Sequence, residues 1–285
     1  MSRASVAARC ADRLRAPLAD LQLAHKSWTP IWRAVDDDGR RYAVKMGVGA
    51  RAEARMLRLL SQKGGLPTPE IFGEDDDLLI MAWLDGGPPC GNADQIACAD
   101  ALAAAHDATA PRFGLDFTTP IGPFAQDNAP NADWVAFFRD QRLRPQAEAA
   151  AREGAIDAAA LARFERLASQ LDGLLEPPPR PSLLHGDLWA GNLLVNDGAL
   201  IGVIDPASYF GHFEIELAFG GLFATFDGVF LDRYQDRRNL DRAWRTGFER
   251  TRRDLYNLFP LLVHARLFGG GYADRALAIA GRHVS

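Results

Sequence analysis

The sequence predicts an α+β protein of two lobes, a small β-rich N-terminal lobe over residues 1–84 and a larger, mainly helical C-terminal lobe over 85–285. Three observations carry this reading. Strand patterns crowd the chain before Leu84, Ala-rich helical patterns follow "DGGPP", and one β segment, "SLLHGDLWAGNLLVNDGALIGVIDP" at 182–206, interrupts the helices. Hydrophobic residues make up 48% of the 285 and charged residues 24%, the balance of a soluble chain with a sizeable core.

The opening "MSRASVAARCADRL" lacks an apolar signal region and carries Asp12, so it reads as a surface helix. "IWRAV" (31–35) and "RYAVKM" (41–46) alternate as strands around "DDDGR", with Gly39 supplying the turn. "RAEARMLRLLSQ" (51–62) follows as a helix with Met56, Leu57 and Leu60 on one stripe, and "GGLPTP" ends it. "EIFGEDDDLLIMAWL" offers a short strand, an acidic turn and a last apolar strand. Helices are then expected at 94–106, 131–143 (capped by Asn131 or Asp133), 157–175 and over most of 214–284.

Composition excludes several function classes. A net charge of −5 gives no strong field for nucleic acid or an anionic membrane. The longest apolar run, "LLIMAWL", is far short of the ~20 residues that span a bilayer. Cys10, Cys90 and Cys98 form no C-x-x-C and leave one thiol over from any single disulfide, a pattern that suits a reducing cytoplasm better than a metal site.

The chemistry concentrates in 182–206. The "NDG" turn between "LLV" and "ALIGVI" predicts a hairpin, which returns to the end where it began. Asn192 before the first strand and Asp205 after the second therefore lie side by side, with Asp187 on the loop feeding the same end. Two carboxylates and a carboxamide are hard oxygen donors of the kind that hold Mg²⁺. A Zn²⁺ reading from His185 and Asp187 finds no further ligands. A lone H-x-D usually makes loop hydrogen bonds; the hairpin, Asn192 and Asp205 in register argue for a site.

"HGDLWAGNLL…VIDP" resembles the catalytic segment of the fructosamine-kinase family, relatives of the aminoglycoside and choline phosphotransferases within the protein-kinase-like fold. "DWVAFFRDQRLRPQ" (133–146), "YFGHFEIELA" (209–218) and "LFGGGY" (267–272) extend the likeness. It implies a bilobal ATP-dependent kinase acting on a hydroxyl of a small sugar-amine, most simply a ketosamine. An aminoglycoside or other amino-alcohol acceptor, or a nucleotide-binding scaffold without transfer, are the alternatives. Asp187 would be catalytic, Asn192 and Asp205 would hold Mg²⁺, and His185 would brace the loop.

In the N-terminal lobe Ala43 and Lys45 share a strand face, which suits an adenine ring beside its phosphates. Glu53 lies on the inward edge of the next helix, where a carboxylate wants a cation such as Lys45. Backbone groups of Met81, Ala82 and Trp83 would meet adenine at the hinge. Trp189 is a candidate platform for the sugar, and Glu214 a further substrate residue. Family members place glycines in the first strand turn; here "LAHKSWTPIW" has none, so Ser27 or backbone amides are expected to cover the phosphates. Glu216 stands where the family more often has Asp.

Overall fold

The computed structural model of the chain describes residues 2–26 and 29–284. Strand alternation builds its N-terminal lobe. β1 (Leu18–His25), β2 (Ile31–Asp36), β3 (Arg41–Met46), β4 (Ile71–Glu74) and β5 (Leu78–Ala82) form one antiparallel sheet in the order β1-β2-β3-β5-β4. The β2–β3 turn places Gly39 at φ +80°, and the Asp36 carboxylate accepts from the Arg40 N–H at 2.8 Å and the Tyr42 hydroxyl at 2.7 Å. Tyr42, Val44 and Met46 face α1 (Arg3–Leu14), packing with Val6 and Cys10. Ala43 faces the other way, against α2 (Ala50–Gln62) through Ala54 and Leu57. β1 is absent from the sequence reading because it is an edge strand with only Leu21 buried and two register shifts, so little alternation marks it.

Helices dominate after the junction: α3 (Asn92–Ala105), α4 (Trp134–Phe138), α5 (Arg144–Arg152), α6 (Ala158–Ala168), α7 (Phe213–Leu222), α8 (Gly228–Arg237), α9 (Arg242–Gly247), α10 (Arg253–Phe268) and α11 (Gly271–His283). Asp133 caps α4 by accepting from the Ala136 N–H at 3.0 Å. α6 stops at Ala168, short of the expected 175, because the chain tightens into a 3₁₀ turn at Leu171–Gly173. Trp134, Phe137, Phe138 and the α10 leucines form a continuous core. No helix among the described residues is long and apolar enough to cross a membrane.

Between α6 and α7 the 182–206 stretch makes two nested ladders rather than one hairpin. β8 (Ser182–Leu184) pairs with β11 (Tyr209–Gly211), and inside it β9 (Leu193–Asn196) pairs with β10 (Ala199–Val203). Asp197 at φ +48° and Gly198 at φ +76° form the tight inner turn. A further small hairpin, β6 (Thr119–Ile121) with β7 (Phe124–Gln126), reaches toward the N-terminal lobe; its three-residue strands are too short to announce themselves in sequence.

Candidate active site

The inner ladder sets the geometry. Leu193 pairs with Val203 and the Ile204 N–H donates to the Asn192 carbonyl at 3.1 Å, so Asn192 and Asp205 emerge together. The Asn192 amide nitrogen donates to the Asp187 carbonyl at 2.8 Å and to its carboxylate at 3.0 Å. The Asn192 and Asp187 side chains thus meet, and Asp205 emerges at the same end of the hairpin, lining one cleft with Asp187. Asp205 holds φ +55°, left-handed backbone in a residue other than glycine and immediately before Pro206. Strain of this kind persists where the surroundings fix it.

The loop carrying Asp187 is tied from behind. Gly186 sits at φ +88°, and a Cβ there would lie 2.2 Å from the Ala207 carbonyl oxygen, so only glycine fits. The buried Glu216 carboxylate accepts from the Gly186 N–H at 2.7 Å and the His185 N–H at 3.2 Å. It also meets His106 Nε2 at 2.9 Å, and His106 Nδ1 lies 2.6 Å from the Tyr234 hydroxyl. Burial works against the Glu216 charge, but the His106 hydrogen bond holds its carboxyl below the usual range. His185 is fully buried, and that burial pushes its imidazole pKa down; its Nε2 meets the Ile204 carbonyl at 3.0 Å, which braces the loop against the end of β10. Burial pushes the Asp187 carboxyl up to about 6, with the Glu216 charge adding and the Asn192 hydrogen bond and Lys45 opposing.

Across the cleft, Lys45 is only 6% exposed. Its ammonium lies 2.7 Å from Glu53 Oε1 and in direct ionic contact with Asp205. A cleft of about 190 Å³ joins these groups, lined by Lys45, Glu53, Asp187 and Asp205 together with Gly47–Ala50 and Pro120–Gly122. If Lys45 grips ATP phosphates, as the resemblance implies, Lys45→Met should raise KM for ATP and lower kcat together, each by roughly tenfold or more, because such a lysine acts in ground and transition states alike. Glu53→Gln should give a milder version. Steady-state kinetics with normal ATP use in Lys45→Met would reassign the N-terminal lobe.

Other expected residues lie apart from this cleft. Ala43 and Met81 pack against α2. The amide donors of Ala82 and Trp83 are already spent, on the carbonyls of Glu70 at 2.8 Å and Arg41 at 3.1 Å. They are therefore unavailable to adenine, which corrects the hinge expectation for those two N–H groups. Trp189 is 44% exposed, its indole folded over Gly191 outside the cleft lining. Glu214 is a correction: it is 1% exposed, and Arg252 and the Trp244 indole N–H, at 2.8 Å and 2.6 Å, occupy its carboxylate. It anchors α7 to the α9–α10 region and offers nothing to a substrate. Ser27 lies outside the described residues.

The sequence reading missed three features. Gly186 was legible, since a glycine between His and Asp invites the question of its φ. The Tyr234–His106–Glu216 chain and an apolar cavity beyond Asp187, lined by Ile121, Phe219, Phe259, Val263 and His264 among others, left no local signal.

The donor set fits Mg²⁺. With the Asn192 nitrogen spent on Asp187, its oxygen is the atom left for a ligand, beside the half-exposed Asp205 carboxylate. Two oxygens suit an ion that takes its remaining ligands from phosphates and water.

The sequence model of the fructosamine kinase family matches residues 34–284. A protein of Enterococcus faecium named as a probable ketoamine kinase is 32% identical over 227 residues, which span 79% of each chain. A chloroplastic protein-ribulosamine 3-kinase of Oryza sativa subsp. japonica is 34% identical over 239 residues, 82% of this chain and 66% of that one. The crystal structure of a Thermobifida fusca protein provisionally described as a fructosamine-3-kinase superposes with a TM-score of 0.84 at 35% identity, covering 99% of this chain and all of that one.

Proposed function

The chain belongs to the fructosamine kinase family, and from that premise we propose that it transfers the γ-phosphoryl group of ATP to a hydroxyl of a small ketosamine. One observation carries the reading: Asp187, bonded to Asn192 behind it, and Asp205 face the Lys45–Glu53 pair across a single cleft. In this reaction Asp187 orients the acceptor hydroxyl and takes its proton as the oxygen bonds to phosphorus. Lys45 grips the nucleotide phosphates, and Glu53 aims it. Asn192 and Asp205 would hold Mg²⁺, which would supply charge neutralisation at the phosphates.

The charge of the cleft supports a monoamine acceptor. Its lining carboxylates are Glu53, Asp187 and Asp205, and Lys45 engages the first and last of them. A polycationic aminoglycoside wants a strongly acidic wall and finds one unpaired carboxylate. An ADP-release screen with Mg-ATP over ketosamines and aminoglycosides tests this. Ketosamine-dependent release is expected; release with aminoglycosides alone, or with no acceptor tried, overturns the reading.

The same Asp187 sets the pH dependence. Its proton leaves near pH 6, and only the ionised carboxylate accepts the hydroxyl proton. Turnover should therefore fall about tenfold per unit below pH 6 and level off above about 7. A kcat profile flat from pH 5 to 8 would remove Asp187 as the proton acceptor.

A further inference from the structure

Glu216 is a buried carboxylate whose oxygens only accept hydrogen bonds, so each contact on it must bring a hydrogen. The Gly186 and His185 amides bring theirs whatever happens around them. His106 does not: an imidazole presents a hydrogen at Nε2 only in one tautomer, and the partner of Nδ1 selects which. That partner is the Tyr234 hydroxyl, 2.6 Å away on α8, and both rings are fully buried. Burial raises the Tyr234 pKa, so the hydroxyl keeps its proton and can donate it to Nδ1. The Nε2 hydrogen then points at Glu216.

We infer that Tyr234 is a positioning residue for phosphoryl transfer: with Nε2 donating to the accept-only Glu216, the Tyr234 hydroxyl donates to Nδ1 and anchors the His106 ring, which holds the Glu216 carboxylate and hence the loop presenting Asp187. The loop has little freedom to compensate. There is no room for a Cβ between Gly186 and the Ala207 carbonyl, and the Asp187 N–H is directed at His185 Nδ1 at 3.3 Å. Tyr234 does not line the cleft. The hydrogen-bonded route from it to Asp187 runs through His106, Glu216 and two backbone amides. The inference rests on the assignment of Asp187 above.

The test combines tautomer and kinetics. The ¹⁵N shifts of the His106 ring should report the Nε2–H tautomer in the wild type, the resonance being identified by its loss in His106→Gln. In Tyr234→Phe the Nδ1 resonance should shift as that nitrogen loses its hydrogen-bond donor. The kcat should fall about tenfold, with KM for ATP within twofold, since a small misplacement of a reacting group lowers rate without touching nucleotide contacts. His106→Gln, which keeps a donor toward Glu216, should retain much more activity than His106→Leu.

An Nδ1–H tautomer in the wild type overturns the inference. So does kcat within twofold of wild type in Tyr234→Phe, or equal activity in the Gln and Leu variants. A purely structural role would lower the melting temperature and raise KM for ATP along with the loss of rate, which also overturns it. Asp187→Asn in the same assay separates the two levels. If that variant turns over normally, the Asp187 reading falls and takes this one with it; if it is inactive while Tyr234→Phe is normal, only the Tyr234 inference falls.

Discussion

Asp187→Asn is expected to lower kcat by about 10²- to 10⁴-fold, the usual worth of positioned acid–base assistance. ATP affinity should stay within about twofold, because Lys45 and Glu53 remain where they are. Stability gives the sharper discrimination. Burial raises the Asp187 carboxyl to about 6, so the folded state holds that proton more tightly than the unfolded chain does. The stability this group contributes is therefore full below pH ~4 and is lost as pH rises through about 6. At pH 7.5 the ionised carboxylate is a cost, at most about 3 kcal/mol at 1.36 kcal/mol per pKa unit. Removing the charge should leave the melting temperature unchanged or higher while turnover collapses. A structural carboxylate would behave in the opposite way, with melting temperature, ATP binding and rate falling together. One preparation of wild type and mutant, measured for ADP release, ATP dissociation constant and melting temperature, decides between them.

Asp205→Asn should be the most damaging single change, with turnover about 10³-fold down or beyond detection. Its carboxylate is the charged member of the proposed Mg²⁺ pair, and a metal at developing phosphate charge supplies several kcal/mol. The side chain is 37% exposed, so its replacement opens no cavity and the fold should persist. Lys45 keeps Glu53 as a partner. Nucleotide binding titrated across Mg²⁺ concentrations should lose most of its metal dependence in the mutant. Near-normal turnover with intact Mg²⁺ dependence would falsify the assignment.

Much of this site was readable because its rules are local. The "NDG" turn and the apolar runs on either side of it fix a register, and that register puts Asn192 beside Asp205. The period of two in "RYAVKM" and the stripe of α2 bring Lys45 to Glu53 over an interval of only eight residues. What stayed hidden depends on contacts across the fold. Glu216 meets its imidazole 110 residues away, and that imidazole meets Tyr234 after a further 128. The amides of Ala82 and Trp83 looked available until strand pairing showed which carbonyls take them. Glu214 looked like a ligand because acidic residues near a catalytic segment invite that reading; Arg252, 38 residues on, neutralises it inside the core. Edge strand β1 was missed for the opposite reason, since an exposed strand has little hydrophobic alternation to display.

The nesting of β9–β10 inside β8–β11 bears on which motions reach the reacting groups. Asp187, Asn192 and Asp205 are all held within one short stretch of chain, closed by backbone bonds such as those of Ile204 to Asn192 and Ala207 to His185. Lys45 and Glu53 belong to the other lobe, and only side-chain contact joins them to Asp205. Breathing of the two lobes therefore strains that ionic contact together with the Val203–Pro67 and Ser208–Met56 bonds, and leaves the three oxygen-bearing groups moving as a body. In hydrogen-exchange terms the amides of Ile204 and Ala207 should open together as one cooperative unit, on a schedule separate from that of the β2 and β3 amides around Lys45.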